Sequence, residues 1–418
     1  MFGRSVAVTG VTGALVLAFA GLLAITVGVV AVQALAPSST TSSNGSGSGS
    51  TSGTTASTTT TTLPNTLANG PTQGAAPEYQ IPGGVQPGYG NFNSVSCVST
   101  TRCFAAGADD NQSGVTDVST DGGKSWSNSS LPSGTPPLDA ISCFDSDHCI
   151  AVGRGATVAT TNGGSSWMLA SLPVANTTLI GATCTSATNC LAVGVTYDQA
   201  GPFAGALLTS SNGGSSWAAA QYPTVGGLGG VVCPTSSDCI SVGTSLLVSS
   251  DGGSTWATAS VPGGTQALTS VSCMSTTTCV AVGANPFGQY EPTDPAIAVM
   301  TTDDGHTWSK VTLPSSTASV DRISCGTGTC VAGGSSPTTG GNALLLQSTN
   351  GSSWTGVSNA SSGLSELAGL SCPATGQCAV VGRGAGRQAA TAATSNLSTW
   401  ATSQLPDSAV PPATDAGQ

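Results

Sequence analysis

The sequence predicts an all-β fold, a seven-bladed β-propeller built from four-stranded antiparallel blades, and three observations lead there. A short phrase ending in tryptophan recurs seven times, about 40 to 50 residues apart. Each copy is preceded by a close pair of cysteines, and four short apolar or alternating runs fill every interval. One four-stranded sheet per repeat is a propeller blade, and seven repeats close a ring.

The phrase, called the box below, reads "STDGGKSW" from Ser119 to Trp126. It returns as "TTNGGSSW" (Thr160 to Trp167), "SSNGGSSW" (Ser210 to Trp217), "SSDGGSTW" (Ser249 to Trp256) and "TTDDGHTW" (Thr301 to Trp308). Two shorter copies end at Trp354 and Trp400, so every tryptophan of the protein closes a box. Asp121, Asn162, Asn212, Asp251 and Asp303 hold the same place in the five full copies. An amide cannot replace a nucleophile or a charged ligand but can replace a turn acceptor, so these residues are expected to fix a hairpin between the third and fourth strands. The indole is expected to fill the space between neighbouring blades with its N–H hydrogen-bonded.

The fifth repeat gives the strands: "TSVSC" (Thr269 to Cys273), "CVAVG" (Cys279 to Gly283), "IAVMTT" (Ile297 to Thr302) and "SKVTLP" (Ser309 to Pro314), strands A to D. The residue four after every second cysteine is glycine, from Gly107 to Gly382. It is expected where strand B ends, at a turn that a Cβ would restrict.

The fourteen cysteines fall into seven pairs: Cys97 with Cys103, Cys143 with Cys149, Cys184 with Cys190, Cys233 with Cys239, Cys273 with Cys279, Cys325 with Cys330 and Cys372 with Cys378. Zinc sites need closer spacing and a second matching pair, so seven disulfides in an oxidising compartment are expected, and no metal or cofactor. Closing so short a loop stabilises by roughly 2 kcal/mol in the chain-entropy model.

Export is also written at the amino end. After Arg4, Ser5 to Ala36 carry no charge, long enough to span a bilayer. Residues 1–36 are therefore expected to be a transmembrane anchor with Arg4 inside. The alternative is a signal segment cut after Ala36, which Pro37 disfavours and which would leave the protein secreted. Residues 37–76 are Ser, Thr and Gly without charge and should be a disordered tether. Residues 77–406 form the propeller and 407–418 a loose tail. The membrane is thus one partner. Charged residues are only 6% of the chain and net charge is -11, which excludes nucleic acid and lowers the prospect of catalysis.

The box resembles the Asp-box, or BNR, repeat of propellers found in sialidases and in proteins similar to the photosystem II stability and assembly factor. The resemblance spans residues 90 to 405 and implies the fold, with the box at the C to D turn. It implies no single function, because such propellers serve as hydrolases, glycan binders, receptors and assembly factors. The sialidase pattern wants an arginine in an early Y/F-R-I-P motif, where "YQIPG" has Gln80.

Loop lengths locate the adaptable face. From each tryptophan to the next first cysteine the step is 16 to 18 residues, whereas from the strand B glycine to the box it runs from 6 to 18. Variation therefore sits in the B to C loops, opposite the disulfides and boxes. The binding candidates there are Asp109, Asp110, Arg154, Tyr197, Tyr290, Glu291, Arg383 and Arg387, accompanied by Asp198, Phe203, Phe287 and Asp294. Arg154, Arg383 and Arg387 stand on consecutive blades around the blade 1 loop and are expected to meet an anionic group or Asp109 and Asp110. His148, inside a disulfide loop, and His306, inside a box, carry no such expectation.

The function expected is that of a non-catalytic, membrane-tethered, extracytoplasmic binding or scaffold module, monomeric, presenting the B to C face to a protein or glycan. The alternatives are a sialidase-like glycoside hydrolase and an assembly factor similar to the photosystem II stability factor.

Overall fold

Blade 5 shows how the repeat folds. In the computed structural model, strand A is Ser270–Cys273, strand B Cys279–Gly283, strand C Ile297–Thr301 and strand D Ser309–Val311, each antiparallel to the one before. The other six repeats form the same four-stranded sheet in order A-B-C-D. The structure describes residues 91–197, 203–263, 265, 267–283, 296–326, 328–335, 343–357, 364–384 and 389–404, all within the second of the two units into which the chain divides, Pro71–Gln418. Blades 1 to 7 occupy residues 91–129, 138–171, 177–219, 228–259, 270–311, 319–356 and 364–404. The expected anchor, tether and tail lie outside the described residues. Among those described, no helix is long and apolar enough to cross a membrane.

Burial follows from position in the blade. Strand B lies between A and C within its sheet and between two neighbouring blades, so Cys103–Ala108 and Cys149–Gly153 are buried along their whole length. Strand D is the outer edge, and Ser309–Val311 is mostly exposed. The core is therefore a circle of seams between blades. Trp217 of blade 3 closes the cluster of Ile150, Val152 and Leu179, and Trp308 of blade 5 that of Ile240 and Val242. In the same way Trp167, Trp256, Trp354, Trp400 and Trp126 each pack on the preceding blade, with blade 7 preceding blade 1. Every indole N–H has an acceptor: a carbonyl three residues back for Trp126, Trp256, Trp308, Trp354 and Trp400, and a hydroxyl of the preceding blade for Trp167 and Trp217.

All seven expected disulfides form, one per blade, at the A to B turn, with Cα atoms 3.9–4.1 Å apart. No free cysteine remains. The ring closes between complete blades, since Trp400–Gln404 is the fourth strand of blade 7. The "EYQIPGG" segment, the other candidate for that strand, lies outside the described residues.

The recurring glycines have a different cause from the one expected. They do stand at or near the end of strand B, Gly153, Gly243 and Gly283 as its last residue, but Gly107, Gly153, Gly194 and Gly382 are paired with Phe92, Leu138, Leu179 and Leu367 of strand A rather than placed in a turn. Beside each pair, strand A carries one extra residue, a β-bulge that presses a strand A carbonyl onto the glycine. A Cβ on Gly107 would collide with the carbonyl of Asn91, and one on Gly153 with that of Pro137. Close backbone approach excludes the side chain there, while positive φ is required in the box, at Gly122 (78°) and Gly123 (90°).

Candidate functional site

The bulges place a ring of side chains at one mouth of the central channel. The bulged residue stands four before each first cysteine: Asn93, Asp139, Ile180, Gly229, Asp321 and Ala368 in blades 1, 2, 3, 4, 6 and 7. Thr269 holds this position in blade 5. Strand A begins at the end of the blade where B meets C, so this mouth opens on the face chosen from loop lengths.

Side chains of the ring reach across the seams. Asn93 Nδ2 donates to the carbonyl of Leu138 at 2.9 Å, and Thr269 Oγ1 to that of Asp321 at 2.9 Å. Arg322, next to the bulge of blade 6, donates from Nε to the Ala368 carbonyl of blade 7 at 2.6 Å and from Nη1 to that of Asp321 at 3.0 Å. Two backbone acceptors thus fix its guanidinium at the channel wall. The channel holds a partly open cavity of about 190 Å³ walled by strand A of all seven blades, with Asp139 and Arg322 as its charged lining residues.

Asp139 carries a carboxyl held in a buried setting. Burial pushes its carboxyl up to about 7, against the pull of Arg154 and Arg322. Its Oδ2 is covered and has no hydrogen-bond donor. The residue as a whole keeps some exposure because its open side is the channel itself. Asp321 is pushed up by burial as well, opposed by Arg322 and by the Ser319 hydroxyl.

The residues expected from sequence are distributed differently. Arg383 is 6% exposed, and its Nη1 faces Glu366 Oε2 of its own blade at 3.4 Å. Arg154 pairs in the backbone with Thr178 of blade 3 and adds its charge to the field at Asp139. Neither arginine bridges to Asp109, whose Oδ1 instead accepts the N–H groups of Asn111 and Ser113 within its own loop. Asp110 is exposed. For Arg383 the reason is local: it lies in strand B and meets Glu366 on the adjoining strand A of its own sheet. Tyr197 stacks edge-on against Phe203 at 5.2 Å across the blade 3 loop. Tyr290, Glu291 and Arg387 lie outside the described residues, as do Asp198, Phe287 and Asp294.

On the opposite face the box carboxylates are consumed by turns. Asp121 Oδ1 accepts the N–H groups of Lys124 and Ser125, and its Oδ2 the Ser125 hydroxyl. In Asn162 and Asn212 the amide oxygen keeps the backbone bond while Nδ2 donates to Ser166 and Ser216, so the same turn closes with the side-chain bond reversed. The shortened copies use Asn350 and Asn396 in this role. Nearby, His148 bonds Asp145 of its own disulfide loop, and His306 the carbonyl of Asp303. Among the described residues, no three His, Cys, Asp or Glu side chains are grouped so as to hold a metal.

Solved structures with the same fold include a GH74 enzyme of Niastella koreensis (TM-score 0.53, 14% identity, 77% of this chain and 55% of that one) and the GH74 xyloglucanase of Xanthomonas campestris (0.52, 15%, 80% and 55%). A third is YCF48 bound to D1 peptide (0.50, 15%, 70% and 91%). The chain spans about half the length of the GH74 structures it matches. At these identities the likeness is one of fold. No protein-family model matches the sequence, and no curated protein matches it.

Proposed function

We propose that the protein is a non-catalytic binding module, held to the outer side of a membrane by residues 1–36, that receives a protein partner on the B to C face around the channel mouth. The observation that carries this reading is a gathering of charged side chains around one mouth of the channel. On the box face Asp121, Asp251 and Asp303 are tied into turns by hydroxyl and amide donors. Asp139, Arg154, Asp321, Arg322, Glu366 and Arg383 gather at the other end of the strands, where loop length varies. The disulfides fit an oxidising compartment, and the sequence resemblance to Asp-box propellers fits a scaffold role. YCF48 is a propeller seen with a peptide bound, which favours a protein over a glycan.

The GH74 neighbours support a second reading, a glycoside hydrolase. Such an enzyme needs two carboxyls driven apart in acidity, one held as acid and one ionised. Asp139 and Asp321 are both pushed up by burial, which supports binding over hydrolysis.

The test uses the full chain produced in an oxidising host. Cross-linking to membrane proteins of the producing organism should yield one partner that Arg154→Glu loses and that Lys124→Glu, on the box face, retains. Hydrolysis of xyloglucan or a sialoside, abolished by Asp139→Asn, would overturn the reading in favour of the enzyme.

A further inference from the structure

The channel cavity is a built site distinct from the loop surface around it. A buried water needs about 10–15 Å³ by this measure, so a cavity of about 190 Å³ holds a molecule of roughly ten non-hydrogen atoms. Gly181, Gly229, Gly230 and Gly369 line blades 3, 4 and 7, where backbone forms much of the wall. Its charges are Asp139 from blade 2 and Arg322 from blade 6.

These two residues approach without meeting. Arg322 is close enough to oppose the rise in the Asp139 carboxyl, yet no ion pair joins them, and the guanidinium is committed to the carbonyls of Asp321 and Ala368. Asp139 Oδ2 is left without a donor. That covered oxygen is out of a ligand's reach, so a donor in the cavity would bond Oδ1, the carboxylate oxygen that is not covered, and offset part of the group's desolvation cost. A simple cation entering there would meet Arg322, and a simple anion would meet Asp139. A molecule bearing both charges matches both walls.

We propose that the channel binds a small zwitterion of α-amino-acid size, its ammonium donating to Asp139 and its carboxylate facing Arg322. The site does not depend on the macromolecular partner proposed above, and the two readings fail separately.

Calorimetric and ligand-observed NMR titrations of the full, disulfide-bonded chain test it with four probes. L-alanine and L-glutamine carry both charges, ethylamine only the ammonium and propionate only the carboxylate. The expected result is an affinity for at least one amino acid that is at least about tenfold tighter than for either singly charged probe, together with a loss of about tenfold in Asp139→Asn at unchanged near-ultraviolet circular dichroism. The comparison among probes on the unaltered protein decides the matter even if Asp139→Asn does not fold. No binding of either amino acid at about 100 mM, or equal binding of ethylamine or propionate, overturns the proposal. Undiminished binding by folded Asp139→Asn also overturns it.

Discussion

Ser371 Oγ accepts the backbone N–H of Cys97 at 2.9 Å, joining the last blade to the first across 274 residues of sequence. The same bond, from the residue before one first cysteine to the next first cysteine, links Ser96 to Cys143, Ser272 to Cys325 and Ser324 to Cys372. Four seams carry this bond, among them the one that no peptide crosses. Ser371→Ala should cost about 1–2 kcal/mol in urea unfolding and raise hydrogen exchange at Cys97 more than Ser324→Ala does at Cys372. Equal exchange at the two seams would show that closure is no weaker than any other joint.

The box turn should tolerate an amide and not a methyl. Asp251 accepts the Thr255 N–H at 2.9 Å and the Thr255 hydroxyl at 2.6 Å, whereas Asn212 keeps the first bond and donates the second. Asp251→Asn is therefore expected within about 0.5 kcal/mol of the parent and Asp251→Ala about 1–2 kcal/mol below it, measured by chemical unfolding. Equal losses in the two variants would show that charge, rather than turn geometry, holds the hairpin.

Asp117 predicts a pH dependence of defined sign. Burial pushes its carboxyl up to about 6, only partly offset by the bond from Asn128 at 3.3 Å. Because the folded value lies above the unfolded value of 3.8, charging opposes folding, and this residue's penalty grows as pH rises from about 4 through about 6. Asp117→Asn should flatten that part of the stability profile, by on the order of 2 kcal/mol at neutral pH. Unfolding midpoints for both proteins between about pH 4 and pH 7 check it; parallel profiles would contradict it.

The strand B glycines should not accept a methyl even though their φ is ordinary. In Gly153→Ala the new Cβ meets the carbonyl of Pro137, whereas Gly263→Ala meets nothing within 4 Å. The first is expected to lower stability by about 2 kcal/mol or more and to disturb the bulge that places Asp139, and the second to be neutral. Thermal unfolding and the chemical shifts of the Asp139 carboxyl report both effects.

The fold was legible because a propeller states its plan seven times. Trp126, Asp121 and the pair Cys97 and Cys103 each recur in register, and a period of about 46 residues survives the loss of any one copy. The candidate site was legible only as a face. Loop lengths point to one end of the strands, and Arg154 and Arg383 lie at that end, whereas no recurring residue in the repeat pattern singles out Asp139, Asp321 and Arg322, which lie in strand A. A signal for them existed: each ring position stands four before a first cysteine, in step with a glycine four after the second. That glycine reads as a turn until the bulge beside it is seen.

The sequence by itself determined the blade count, the strand order, the disulfides and the turns, because each depends on residues close together in the chain and on bonds a few residues long. The tertiary structure decided which side chains share the channel. Asp139 and Arg322 stand 183 positions apart, and their place in one cavity depends on the bulges, the glycines beneath them and the angle at which seven sheets close a circle. Those are properties of packed backbone, which no single repeat encodes.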